Sequence, residues 1–184
     1  MNSIPKIEKL KFPIGRFACP EEITKDHLEI WKKTIREFPK ELKNTTENLS
    51  ATEKNWKYRP DGWSIKQVIH HLADSHINAL IRLKLTLTED TPVIRPYEEA
   101  LWAELTDGDQ DDLQSSLKII EGVHERWSAI LENLKENDWN RMYYHPQHQR
   151  LFSVKEGLGI YHWHCKHHLA HIEQAFSYKG AFNF

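Results

Sequence analysis

Cysteine is scarce in this chain: only Cys19 and Cys165 occur, far apart in sequence. Two distant cysteines make no disulfide framework of the kind that staples small secreted domains, and a reducing, cytoplasmic setting is the expectation. Long apolar runs are missing. None approaches the roughly 20 residues that a helix needs to cross a bilayer. The opening stretch Met1-Asn-Ser-Ile-Pro-Lys-Ile-Glu8 lacks the apolar segment of a secretory signal. No membrane partner is expected. An excess of one charge is missing too, with 25 Lys and Arg against 27 Asp and Glu, for a net charge of −2. Nucleic-acid binding would want a basic stripe, so it is not expected. Glycine-rich phosphate loops and the Gly-x-Ser-x-Gly nucleophile elbow are both absent, as are internal repeats and low-complexity segments.

What is present is helical periodicity in a chain of 184 residues, enough for one domain with a sizeable core. Residues 1–20 read as an extended arm, because Phe12-Pro13-Ile14-Gly15 and Cys19-Pro20 oppose a long helix. A first long helix follows from Glu21 or Thr24 to Leu49, with Leu28, Trp31, Ile35, Phe38 and Leu42 on its stripe. Pro39 falls inside it and should kink it. A second begins at Ser64, whose spacing to Gln67 is that of a capping box, and runs to about Thr88. A third spans about Asp112 to Lys135. The last starts after Ser153, which pairs with Glu156 as a second capping box, and reaches about Tyr178 before Gly180. Tyr97–Leu105 reads as a short helix within a long connection, and 136–152 as a loop with room for a hairpin. Four long helices with long connections predict an all-α four-helix bundle.

The chemistry concentrates in Tyr161-His-Trp-His-Cys-Lys-His-His-Leu-Ala-His171, which holds five of the twelve histidines. At about 100° per residue, His164 and His168 lie roughly 40° apart and one turn along, so both rings can point at one ion. His171 falls on the same stripe. His162 and His167 point elsewhere and read as surface or supporting residues. Cys165, about 100° from His164, reads as packing. His27, His124, His145 and His148 read as ordinary polar or partly buried residues. A third ligand should come from another inner stripe, where the second helix carries His70-His71-Leu-Ala-Asp74-Ser-His76. Small polar neighbours one and two turns on, Ser75 and Asn78, favour His71 over His70.

The sequence resembles the DinB-like superfamily and, within it, the YfiT family of metal-dependent hydrolases. The resemblance rests on Gly62-Trp-Ser-Ile-Lys-Gln-Val-Ile-His-His-Leu-Ala-Asp-Ser-His76, Ile94-Arg-Pro-Tyr-Glu-Glu-Ala-Leu-Trp102, His162-Trp-His-Cys-Lys-His-His-Leu-Ala-His-Ile172 and Phe12-Pro-Ile-Gly15. It implies a four-helix bundle, a homodimer, and one divalent ion per chain on His71, His164 and His168. Where the superfamily often has Gln, this chain has His171, which leaves a fourth ligand or a supporting role open. Three neutral imidazoles suit zinc first and nickel second, and three protein ligands leave a position for water or a small-molecule substrate. Asp74 and Glu173 are the candidate carboxylates to receive a ligand's second N–H. Three functions follow as expectations. The first is metal-dependent hydrolysis. The second is transfer of a low-molecular-weight thiol, as in parts of the superfamily, with Arg59 or Arg95 receiving its carboxylates. The third is a non-catalytic metal protein in which a residue such as His171 fills the open position.

Overall fold

The structure, a computed structural model, describes residues 3–182, with side chains from Ile7 onward. Helix α1 covers Ser3–Lys11, where a helix replaces the expected extended arm. The breakers read from sequence begin only at Pro13, so the segment before it can coil. The chain from Phe12 to Pro20 is irregular, as expected. Met1 and Asn2 lie outside the described residues.

The long helices are α2 (Lys25–Thr46), α4 (Ile65–Thr88), α6 (Gln114–Glu132) and α7 (Val154–Tyr178). Short α3 (Ala51–Lys54) and α5 (Glu99–Trp102) sit in the connections. Helix α4 starts at a Ser64/Gln67 capping box and α7 at a Ser153/Glu156 box, as the sequence patterns predict. At the far end of α4, the guanidinium of Arg141 donates to the carbonyls of Thr86 and Glu89 at 2.7 Å each, satisfying acceptors that the helix leaves unpaired. Helix α7 stops where Lys179 and Gly180 both turn left-handed. A Cβ on Gly180 would also come within 3.0 Å of Trp56, so glycine is needed there twice over.

Helices α2 and α4 each pack against both α6 and α7, which places α2 diagonally across from α4. Two of the three connections between long helices therefore cross the end of the bundle. The last crossing contains a hairpin, β1 (Met142–His145) and β2 (Arg150–Ser153), paired Met142 to Ser153 through His145 to Arg150. Its Tyr143 and Phe152 bury a small satellite core with Ile94.

The main core joins Trp31, Ile35, Phe38 and Leu42 of α2 to Ile65, Val68, Ile69 and Leu72 of α4, with Ile120 and Trp127 of α6 and Leu158 and Ile172 of α7. Helix α2 continues through Pro39 instead of splitting. Seven histidines are buried inside this bundle: His70, His71, His76, His124, His167, His168 and His171.

Candidate metal centre

Helix α4 brings His71 to face α7, which carries His164 and His168 one turn apart. One ring nitrogen from each of these three lies within 4.8 Å of the others. The Nε2 atoms of His71 and His164 are 3.4 Å apart. Two nitrogens bound at 2.0–2.1 Å to one tetrahedral ion stand about 3.3 Å apart, so this spacing fits a shared divalent cation. The rings are held from outside. Trp63 packs on His71 with centroids 4.8 Å apart, and His168 meets His71 edge-on at 5.0 Å.

Burial removes water from these imidazoles and disfavours their charged forms. His71 is pushed down to about 4, first by burial and then by the His167 ring. His164 and His168 fall well below the ordinary histidine value, again through burial first and through neighbouring imidazoles second. Three neutral rings, each with a nitrogen close to the other two, therefore stand together at neutral pH.

His70 is turned away, with Nδ1 2.8 Å from the Ser116 hydroxyl and Nε2 2.9 Å from the Gln110 carbonyl on the α6 side. Both nitrogens of His171 are engaged: Nδ1 lies 3.4 Å from His168 Nδ1, and Nε2 donates to the Lys11 carbonyl at 3.1 Å. Its ring also stacks on Tyr58 with centroids 3.8 Å apart. That arrangement makes His171 a neighbour of a candidate ligand, with no nitrogen left to enter the fourth position.

The two carboxylates do not reach the triad. Glu173 is exposed, and Asp74 looks into a cleft beside His70 and Asp107. Neither makes a hydrogen bond to the three histidines among the described residues. A helix has room for few inward positions, and here histidines occupy the ones that touch His164 and His168. The two arginines make no hydrogen bond to the triad among the described residues. Arg59 donates to the neighbouring Pro60 carbonyl at 2.8 Å, and Arg95 is exposed. Of the two readings of His167, surface or supporting, the structure fits the second: it is buried under the segment after α1 and lies against the His168 and His171 rings. It stacks on Trp163 (4.2 Å) and Phe12 (5.8 Å), and Trp163 Nε1 donates to the Gly15 carbonyl at 3.0 Å.

Two functional candidates escape a linear reading. His76 Nε2 is 3.1 Å from His164 Nδ1, and His76 Nδ1 is 2.6 Å from His124 Nε2 on α6. His124, expected to be an ordinary polar residue, is 1% exposed. The available signal was a histidine inside the otherwise apolar stripe of the third helix, which needs a polar partner. Cys165 lies beside this pair, and His76, His124 and Cys165 also come within 4.8 Å of one another. The 2.6 Å nitrogen separation is a hydrogen bond and too short for two ligands of one tetrahedral ion. Full burial raises the Cys165 thiol well above its usual range, and the residue packs within the main core.

Of the three, His164 is the partly exposed one. A cleft of about 150 Å³ has His164 on its wall with Ser75, Arg82, Tyr97, His145 and Tyr161. A roomier groove of about 740 Å³ lies between α2 and α6 and carries none of the three histidines.

The DinB superfamily model matches residues 34–172, which contain all of these histidines. The chain belongs to the DinB superfamily. It is 41% identical over 165 residues to a Bacillus subtilis protein named "Putative metal-dependent hydrolase YfiT", covering 90% of this chain and 93% of that one. A relative of the same description from Oceanobacillus iheyensis is 47% identical over 162 residues, covering 88% and 93%. The solved structure of YfiT from Bacillus subtilis, described as "a probable metal-dependent hydrolase with an unusual four-helix bundle topology", superposes with a TM-score of 0.90 at 40% identity. It covers 94% of this chain and 98% of that one. The diagonal placement of α2 and α4 belongs to that shared bundle.

Proposed function

We propose that this protein is a metal-dependent hydrolase acting on a small molecule, with one divalent ion held by His71, His164 and His168. The observation that carries the reading is the convergence of three neutral imidazoles, two of them with Nε2 atoms 3.4 Å apart. Zinc suits that donor set first, nickel next. An ion bound there supplies Lewis-acid polarisation of a substrate oxygen and makes hydroxide available near neutral pH. The chain's own contribution is to hold the donors and to shape the approach. His171 supports His168 from behind, Tyr58 and Trp63 shield the rings, and Tyr161 anchors to the Ser75 carbonyl at 3.2 Å beside the cleft. Engagement of both His171 nitrogens supports an open fourth position, and so favours an enzyme over a closed metal-storage site. Arg59 donates to its neighbour Pro60 and Arg95 is exposed, and neither lines the cleft at His164, whose cationic residue is Arg82.

Elemental analysis of purified protein should give about one divalent ion per chain, falling to background in His71→Ala, His164→Ala and His168→Ala. Full metal in His71→Ala would place the third ligand elsewhere. The metal-loaded protein should cleave an ester, amide or phosphoester in a substrate screen. Conjugation of a thiol to an electrophile without any hydrolysis would replace this reading by thiol transfer. A homodimer is part of the same proposal, carried by the resemblance and by the apolar surface that Leu101, Trp102 and Leu105 leave exposed. Sedimentation at micromolar concentration should return twice the 21.9 kDa chain mass. No helix among the described residues is long and apolar enough to cross a membrane.

A further inference from the structure

Pro39 stands four residues after Ile35 within α2. In an uninterrupted α-helix the Ile35 carbonyl would accept from the N–H of residue 39, and proline has no N–H. The carbonyl so released points at α6 and accepts from His124 Nδ1 at 2.5 Å. A carbonyl oxygen can only accept, so His124 carries its proton on Nδ1. Complete burial, 1% exposure for His124 and 0% for His76, keeps both rings neutral with one proton each. The Nε2 of His124 is therefore an acceptor, and the 2.6 Å contact requires a proton on His76 Nδ1. By the same rule His76 Nε2 is an acceptor, and its 3.1 Å partner, His164 Nδ1, must donate. The remaining nitrogen of His164 is a bare lone pair, and it is the Nε2 that faces His71 Nε2 at 3.4 Å.

We infer that Pro39, the Ile35 carbonyl, His124 and His76 form a positioning chain that fixes the tautomer of His164, so that its Nε2 lone pair is presented to the metal. The chain has one direction only, because a backbone carbonyl ends it. Carboxylates commonly do this for a metal-bound histidine. Here two histidines and a proline-released carbonyl do it, which explains why a helix-breaking residue sits in the middle of α2, why its helix is tolerated there, and why α6 carries a histidine in its apolar stripe. The inference rests on the metal reading above only for its last step; the directions of the hydrogen bonds stand without it.

The test begins with the metal-free full-length protein. Two-bond proton–nitrogen correlation spectra near pH 7.5 distinguish protonated from bare ring nitrogens. His124, His76 and His164 should all appear protonated on Nδ1. A proton on Nε2 of His76 or His164 would overturn the inference. Zinc affinity, measured by competition with a chromophoric chelator, then follows two variants. His124→Phe removes the relay and should weaken zinc binding about 10- to 100-fold, the usual effect of losing such a partner. Pro39→Ala restores an N–H that competes for the Ile35 carbonyl in a helix made more regular. It should shift His124 toward mixed tautomers and weaken zinc several-fold while leaving thermal stability equal or higher, an outcome that a merely structural role for Pro39 does not give. Unchanged tautomers and unchanged zinc affinity in Pro39→Ala would remove proline from the chain, whether or not His124→Phe folds. Wild-type protein showing the expected tautomers but no zinc binding would instead bring down the metal reading.

Discussion

At the scale of single residues, the division between candidate ligands and their supports turns on which ring nitrogens are occupied. His171 illustrates it. Its Nε2 proton goes to the Lys11 carbonyl, an acceptor left unpaired at the end of α1, so its Nδ1 is free to accept from His168 Nδ1. The variant His171→Ala should therefore lower zinc affinity about 10-fold or more without abolishing stoichiometric binding, whereas His168→Ala should abolish it. Isothermal titration with zinc separates the two, and equal loss in both would make His171 a ligand. The candidate ligands were legible in sequence because a helix places residues four apart on one stripe, and His164 and His168 have that spacing. Their supports were not legible. His76, His124 and Lys11 are joined to the triad only across helix packing, and carboxylates looked better suited than histidines until the inward positions were seen to be filled.

At the scale of elements, the helix starts were readable because their signals are local. Ser64 with Gln67 and Ser153 with Glu156 each satisfy free N–H groups within a single turn. Replacing Ser153 by Ala should cost about 1 kcal/mol in urea unfolding, since it unseats the start of the helix that carries two of the three histidines. The start of the chain was misread because breakers were given reach in the wrong direction: Pro13 ends a helix and does not prevent one before it. Packing between elements is a different matter. Gly159 on α7 lies against the Trp31 ring of α2, where an added Cβ would come within 2.8 Å of three-coordinate ring carbon. Trp31 is 5% exposed and has no room to withdraw. Gly159→Ala gains about 1 kcal/mol of helix propensity but pushes α2 and α7 apart at an overpacking cost of about 1–3 kcal/mol. Net destabilisation is expected in urea unfolding, and a more stable variant would show that the ring moves aside easily.

At the scale of the whole molecule, a bundle that buries many neutral histidines carries a built-in sensitivity to acid. His71 and His124 are both held down to about 4 by burial. In the unfolded chain each returns to about 6.5. Between those values the unfolded state takes up protons that the native state refuses, so stability falls as pH drops. Each of the two residues contributes about 1.4 kcal/mol per pH unit across that window, and nothing above it. His76, His164 and His168, pushed lower still, steepen the same decline. Carboxylates act in a lower range. Glu156, held below its ordinary value by the Ser153 backbone and hydroxyl, loses its contribution only as pH passes below the usual carboxylate range. The urea midpoint of metal-free protein should thus be level from pH 8 to 7 and fall steeply between pH 6.5 and 5, before carboxylates protonate. Zinc at about 100 times its dissociation constant should raise stability by about 2.7 kcal/mol at pH 7.5, because it binds the folded chain alone. A metal-free midpoint that stays flat down to pH 5 would mean that these rings are already protonated in the native state. That would remove the lone pairs on which both the proposed metal site and its proposed directional support depend.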